Sequence, residues 1–164
     1  MPLILSTSSI STNVAYTGIT IDTLGRVNFP NQPSFTVTAQ IYSPTTNYTS
    51  VVILNSVTTQ NFSTLYNNGG NFNASTGLFT APIAGKYFFT AQFSRQSGNA
   101  TVAVYKNGGQ IGQASLTYGA DWQTGSQQFV MNMAVGDTAS CAYGAVNGTT
   151  VNGYGVWFSG YLIG

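Results

Sequence analysis

Hydrophobic residues in this chain recur with a period of two, and no stretch of helical length shows the helical period. Tyr87, Phe89, Ala91 and Phe93 alternate with Phe88, Thr90, Gln92 and Ser94. Phe35, Val37, Ala39 and Ile41 alternate with Thr36, Thr38 and Gln40, and Phe129, Met131, Met133 and Val135 with Val130, Asn132 and Ala134. Successive side chains on a strand point to opposite faces, so this alternation lays one apolar row against a core. The spacing predicts strands over 35–42, 50–57, 77–82, 85–95, 101–107, 110–116, 126–134, 138–144 and 156–163. Val, Thr, Tyr and Phe fit a pleated surface, and Gly, Asn and Pro punctuate at strand-length intervals. Asn107-Gly108 between Tyr105 and Ile111 is the clearest hairpin, because Asn and Gly tolerate the positive φ of a primed turn. Many short strands with long antiparallel returns predict an all-β sandwich or jelly roll.

Two strands carry apolar residues on both faces. In 156–163, Val156, Phe158 and Leu162 point one way, and Trp157, Tyr161 and Ile163 the other. Phe88 likewise opposes Tyr87 and Phe89. An outer sheet normally offers water a polar face, so the second apolar face predicts contact with another subunit. A strand covered by its own loops would show the same pattern.

Charge is scarce. Only 4% of residues are charged, against a usual level of about 25%. Arg26, Lys86, Arg95 and Lys106 face Asp22, Asp121 and Asp137, with no Glu and no His. A net charge of +1 provides no basic stripe for nucleic acid. The absence of His removes the commonest general base and metal ligand. With 43% hydrophobic and 13% aromatic residues, the chain can bury a core and is not of disordered composition. Its one cysteine, Cys141, allows no internal disulfide and no multi-Cys zinc site, and it alternates with Ser140 and Ala142 as a small buried hydrophobe would.

No chemistry assembles around the remaining polar residues. An Asp pair could hydrolyse glycosides, but Asp137 follows Gly136 in a strand-joining turn, where Asp is a routine turn former. Asp121 or Asp137 could bind calcium with loop carbonyls, yet no loop concentrates the ligands. Gly85-Lys86 lacks the rest of a phosphate loop. Asn47, Asn61, Asn73, Asn99 and Asn147 fit the glycosylation triplet, as chance provides in a chain rich in Asn, Ser and Thr. The loops Tyr118–Trp122 and Gly144–Gly155 set aromatics beside amides and hydroxyls, which suits uncharged sugar contact as well as simple hydration. Leu3-Ile4-Leu5 is too short for a signal or a membrane span. The Ser/Thr/Asn-rich residues 1–32 read as an arm that needs a neighbour, and residues 33–164 as the folded domain.

The order of several motifs resembles a known family. Gly77-Leu78-Phe79-Thr80-Ala81-Pro82-Ile83-Ala84-Gly85-Lys86-Tyr87-Phe88-Phe89 resembles the core motif of C1q/TNF-like globular domains. Val104-Tyr105-Lys106-Asn107-Gly108, Val135-Gly136-Asp137 and Phe158-Ser159-Gly160-Tyr161-Leu162 resemble that family's hairpin, turn and closing strand. The resemblance covers 33–164 and implies a jelly-roll sandwich of about ten antiparallel strands. It also implies a homotrimer with the first and last strands facing the other subunits. Phe35, Phe88, Phe129, Phe158, Tyr161 and Leu162 are then the candidate trimer contacts. Residues 1–32 carry no Gly-X-Y repeat of a collagen-like stalk. Residues 21–35 resemble a phrase that precedes such domains in virion proteins of tailed bacteriophages.

Together these features predict a non-enzymatic virion structural protein, assembled in the host cytoplasm and released by lysis. A trimeric capsid decoration (cement) protein is the leading expectation. It would be held to a major capsid protein or other virion protein through Leu3, Ile4, Leu5, Ile19 and Ile21. One alternative is a fibre-tip or head-fibre adhesin binding host surface glycans through Tyr118, Trp122, Asn147 and Tyr154. A second is a secreted C1q/TNF-like ligand. No catalytic residue, metal, cofactor, nucleic-acid partner or membrane partner is expected.

Overall fold

A computed structural model of the chain describes residues 10–11, 17–21, 23–39, 52–53, 63–116, 122–145 and 152–163. The N-terminal strands are β1 (Ile10–Ser11), β2 (Thr17–Ile21) and β3 (Val27–Asn28). Next come β4 (Ser34–Ala39), β5 (Val52–Ile53), β6 (Ser63–Asn68), β7 (Phe72–Asn73) and β8 (Leu78–Thr80). The long strands follow: β9 (Gly85–Ser97), β10 (Ala100–Lys106), β11 (Gly109–Leu116), β12 (Gln123–Met133), β13 (Thr138–Ala145) and β14 (Asn152–Leu162).

The ladders form a two-sheet antiparallel sandwich, as the periodicity predicts. One sheet has the order β12-β9-β14-β4-β6. The other runs β11-β10-β13-β8-β7, with β5 also paired to β13. The strands β1, β2 and β3 form a separate small sheet.

Alternation builds the core. On β9, Tyr87, Phe89, Ala91 and Phe93 are buried, and they meet Val102, Val104, Cys141 and Tyr143 of the opposite sheet. Phe35 stacks on Phe72 at 4.8 Å and Phe79 at 5.0 Å, and meets Phe158 edge-on at 5.1 Å. Offset and edge-on arrangements suit the ring quadrupoles. Gly160 lets this cluster close on β14: a Cβ there would lie 2.5 Å from Phe89 and 2.9 Å from Phe35. The β10–β11 turn has Asn107 at φ 48° and Gly108 at φ 76°, as a primed hairpin turn requires.

The differences from the predicted strands have physical causes. β6 was not predicted, because Ser-Thr-Leu-Tyr-Asn-Asn has no two-residue alternation and lies at a sheet edge, and β7, Phe72–Asn73, is too short to show a period. β12 begins at Gln123 and β14 at Asn152, earlier than their apolar residues suggest, because the length of β9 extends both ladders (Gln123 beside Arg95, Asn152 beside Ser97). Predicted strand residues 40–42, 50–51 and 54–57 lie outside the described residues.

Candidate functional site

The outward face of the β12-β9-β14-β4-β6 sheet is the most distinctive surface. Antiparallel register lines its residues up in rows. One row reads Val130, Phe88, Tyr161, Ser34, Asn68, from β12 to β6. The next reads Gln128, Thr90, Ser159, Thr36, Tyr66, and a third Ser126, Gln92, Trp157, Thr38, Ser63. None of these residues is charged. Val130 is 61% exposed, Tyr66 53%, Tyr161 47% and Trp157 38%. Phe88 lies against Tyr161, with ring centroids 5.4 Å apart. Val130, Phe88 and Tyr161 adjoin as an apolar strip across three strands, with Trp157 and Tyr66 set among polar residues, and an exposed strip of this kind marks an interaction site.

The predicted trimer residues divide by parity. Phe88 and Tyr161 lie on this outward face. Phe35 and Phe158 do not: at 2% and 0% exposure they are core residues and cannot touch a neighbouring subunit. Phe129 and Leu162 are half-buried and pack against the same core. The correction follows from strand alternation, because Phe158 and Tyr161 differ by three positions and so face opposite ways. Trp157, placed with Tyr161 on the second apolar face by the sequence, lies on it here; two further members were missed. Val130 shares the outward parity of Phe88 and Tyr161 and was legible by extending it. Tyr66 lies on the unpredicted β6 and gave no signal.

The loop and arm residues are less concentrated. Trp122 is exposed just before β12, and Tyr154 belongs to β14 beside a break in its ladder. Tyr118 and Asn147 lie outside the described residues, as do Leu3, Ile4 and Leu5. Ile19 pairs with Ile10 in the small sheet, and half-buried Ile21 pairs with Val27. Asn68 donates from Nδ2 to the carbonyls of Pro30 and Gln32, 2.8 Å each, and so holds the junction between small sheet and sandwich. Beside it, Phe29, Pro33, Ile83, Leu162 and Ile163 line a groove of about 430 Å³.

Asp137 braces a turn. Its carboxylate accepts from Asn107 Nδ2 at 2.8 Å and from the Ala134 amide at 2.9 Å, and pairs with Lys106 at 2.9 Å. The Asn107 hydrogen bond, then Lys106 and the Ala134 amide, hold its pKa down at about 2. Asp22 and Asp121 lie outside the described residues. Among the described residues no three His, Cys, Asp or Glu side chains gather as a metal site. Cys141 is buried, and desolvation pushes its thiol pKa up.

Residues 34–163 match the C1q domain family. The chain belongs to that family. C1q domains are not enzymes, and this chain is not one. Its sequence is 33% identical over 73 residues to mouse (Mus musculus) complement C1q and tumor necrosis factor-related protein 9, covering 44% of this chain and 22% of that protein. The human (Homo sapiens) proteins 9B and 9A match at the same identity and coverage. The matched stretch is thus about a fifth of the length of these curated relatives. Among solved structures, the globular domain of zebrafish complement 1qA superposes with a TM-score of 0.62 at 18% identity, over 80% of this chain and 98% of that one. Murine APRIL superposes with a TM-score of 0.53 at 11% identity, over 78% and 98%. At these identities the two structures establish the sandwich fold of this C1q domain.

Proposed function

We propose that this C1q domain works as a homotrimeric, non-enzymatic binding module, a C1q/TNF-like ligand. Its subunits meet through the outward face of the β12-β9-β14-β4-β6 sheet. The carrying observation is that face: three cross-strand rows without a charge, bearing Val130, Phe88, Tyr161, Trp157 and Tyr66. Bringing such faces together removes apolar area from water at about 25 cal/mol per Å². These three rows hold no ion to desolvate, and Lys86, in the next row beside Asn132, lies at their margin. A three-fold ring closes such contacts without leaving an open face.

The ligand role is favoured by the relatives, which are C1q/TNF-related proteins of animals. A second reading, virion decoration, is supported by the phage-like phrase at 21–35 and by the separate small sheet, whose turn and last strand expose Leu24 and Val27 to a neighbour.

Light scattering on the full chain tests the trimer. The expected result is three times the 17.3 kDa chain mass at micromolar concentration. A monomer, or dissociation by moderate salt, would sink the proposal. Saturable binding of the trimer to animal cells, lost on changing exposed loop residues such as Trp122, supports the ligand role. Binding to virus particles that requires residues 1–29 selects decoration instead.

A further inference from the structure

Arg95 continues the inward row of β9 after Tyr87, Phe89, Ala91 and Phe93, and it is 0% exposed. A guanidinium has five donors, no acceptor, and carries its charge into the interior. In Arg95 only Nη2 is engaged, donating to Gln123 Oε1 across the β9–β12 ladder. Nε and Nη1 have no acceptor among the described residues. Asp137, the one carboxylate among those residues, is committed to Lys106 and Asn107. A buried charge without an opposite charge is strongly destabilising, whereas surplus donors around it are what an anion requires.

The surroundings favour a guest. Gln123 must turn its carbonyl to the donor-only guanidinium, so its amide nitrogen adds further donors at the same level. On the other flank β14 places Gly153 beside Arg95, and its register breaks between Asn152 and Gly153 and again between Gly153 and Gly155. A bulge with glycine lets a ligand approach the backbone and recurs beside binding sites.

We propose that Arg95 and Gln123, with the β14 bulge at Gly153, form a binding site for a small oxyanion, a carboxylate or a phosphate. The site points into the sandwich, away from the outward face, and so stands independently of the trimer.

The test is thermal unfolding of the full chain during titration with acetate and, separately, inorganic phosphate, at ionic strength held constant with a bulky sulfonate buffer. The expected result is a saturable rise in Tm of roughly 5–10 °C at about 100 times Kd, with one of the two anions preferred. That preference assigns the carboxylate or phosphate class. Arg95→Met should abolish the rise. Should that variant fail to fold, Gln123→Glu carries the test: it tethers a carboxylate beside Arg95, so it should melt higher without added anion and lose the response. A flat wild-type titration overturns the proposal, as does a Gln123→Glu protein that responds like the wild type. Asp121→Asn lowering Tm as much as Arg95→Met, with no further loss in the double variant, also overturns it, because the chain's own carboxylate then supplies the charge.

Discussion

Phe88 and Tyr161 sit opposite each other on β9 and β14, their rings 5.4 Å apart on the outward side of the sheet. Their neighbours Phe89 and Gly160, also paired, interlock on the inward side. One ladder therefore presents a core face and an outward aromatic face at successive residues.

Replacing Phe88 and Tyr161 together by Ser should convert the trimer into a folded monomer. Neither side chain belongs to the core, so far-ultraviolet circular dichroism should keep its β signature while the mass by light scattering falls to one third. Wild-type association should hardly change between about 0.05 and 1 M salt, because screening acts on charges and these rows carry none. A double variant that stays trimeric places the contact elsewhere.

Gly160→Ala should destabilise the protein by about 1–3 kcal/mol in urea unfolding, the usual cost of overpacking. Its Cβ would meet Phe89 at 2.5 Å and Phe35 at 2.9 Å, both held in the aromatic cluster. Gly109→Ala, whose Cβ would find only the Lys106 carbonyl at 3.4 Å, is the control and should be close to neutral.

The acid limb of stability should depend on Asp137. Its folded pKa is lowered from 3.8 to about 2, so its contribution is complete above about pH 4 and disappears as pH falls through about 2. Asp137→Asn should flatten that limb in acid denaturation, and the effect should be small because the carboxylate is at the surface. With no His and no Glu in the chain, stability should be level from about pH 5 to 8.

Cys141 should resist alkylation by iodoacetamide at pH 8 in the native protein and react fully in denaturant. It is 1% exposed, and burial disfavours the thiolate that reacts. Rapid native labelling would show that β13 opens readily.

Removing residues 1–29 should leave a trimer with nearly the wild-type Tm. The sandwich core begins at Phe35, and Asn68 still reaches the carbonyls of Pro30 and Gln32. Differential scanning calorimetry of the shortened chain checks this, and a large fall in Tm would make the small sheet part of the folding unit.

The sequence by itself determined the two-sheet sandwich, the hairpin at Asn107-Gly108, and the scarcity of charge. These are local properties: side-chain alternation, turn chemistry and composition act within a few residues. It also determined that β14 has two apolar sides. Only the tertiary structure decided which side meets the other sheet, so that Phe158 went inside with Phe35 while Tyr161 stayed out with Phe88. Register across strands distant in sequence likewise decided that Val130, Phe88 and Tyr161 share a row, and that edge strand β6 exists at all. The position of Arg95 was fixed by the length of β9, whose alternation runs past its last apolar residue because β12 and β14 continue to supply backbone partners. A period of two says that there are two faces; the rest of the chain has to be folded before either one has a partner.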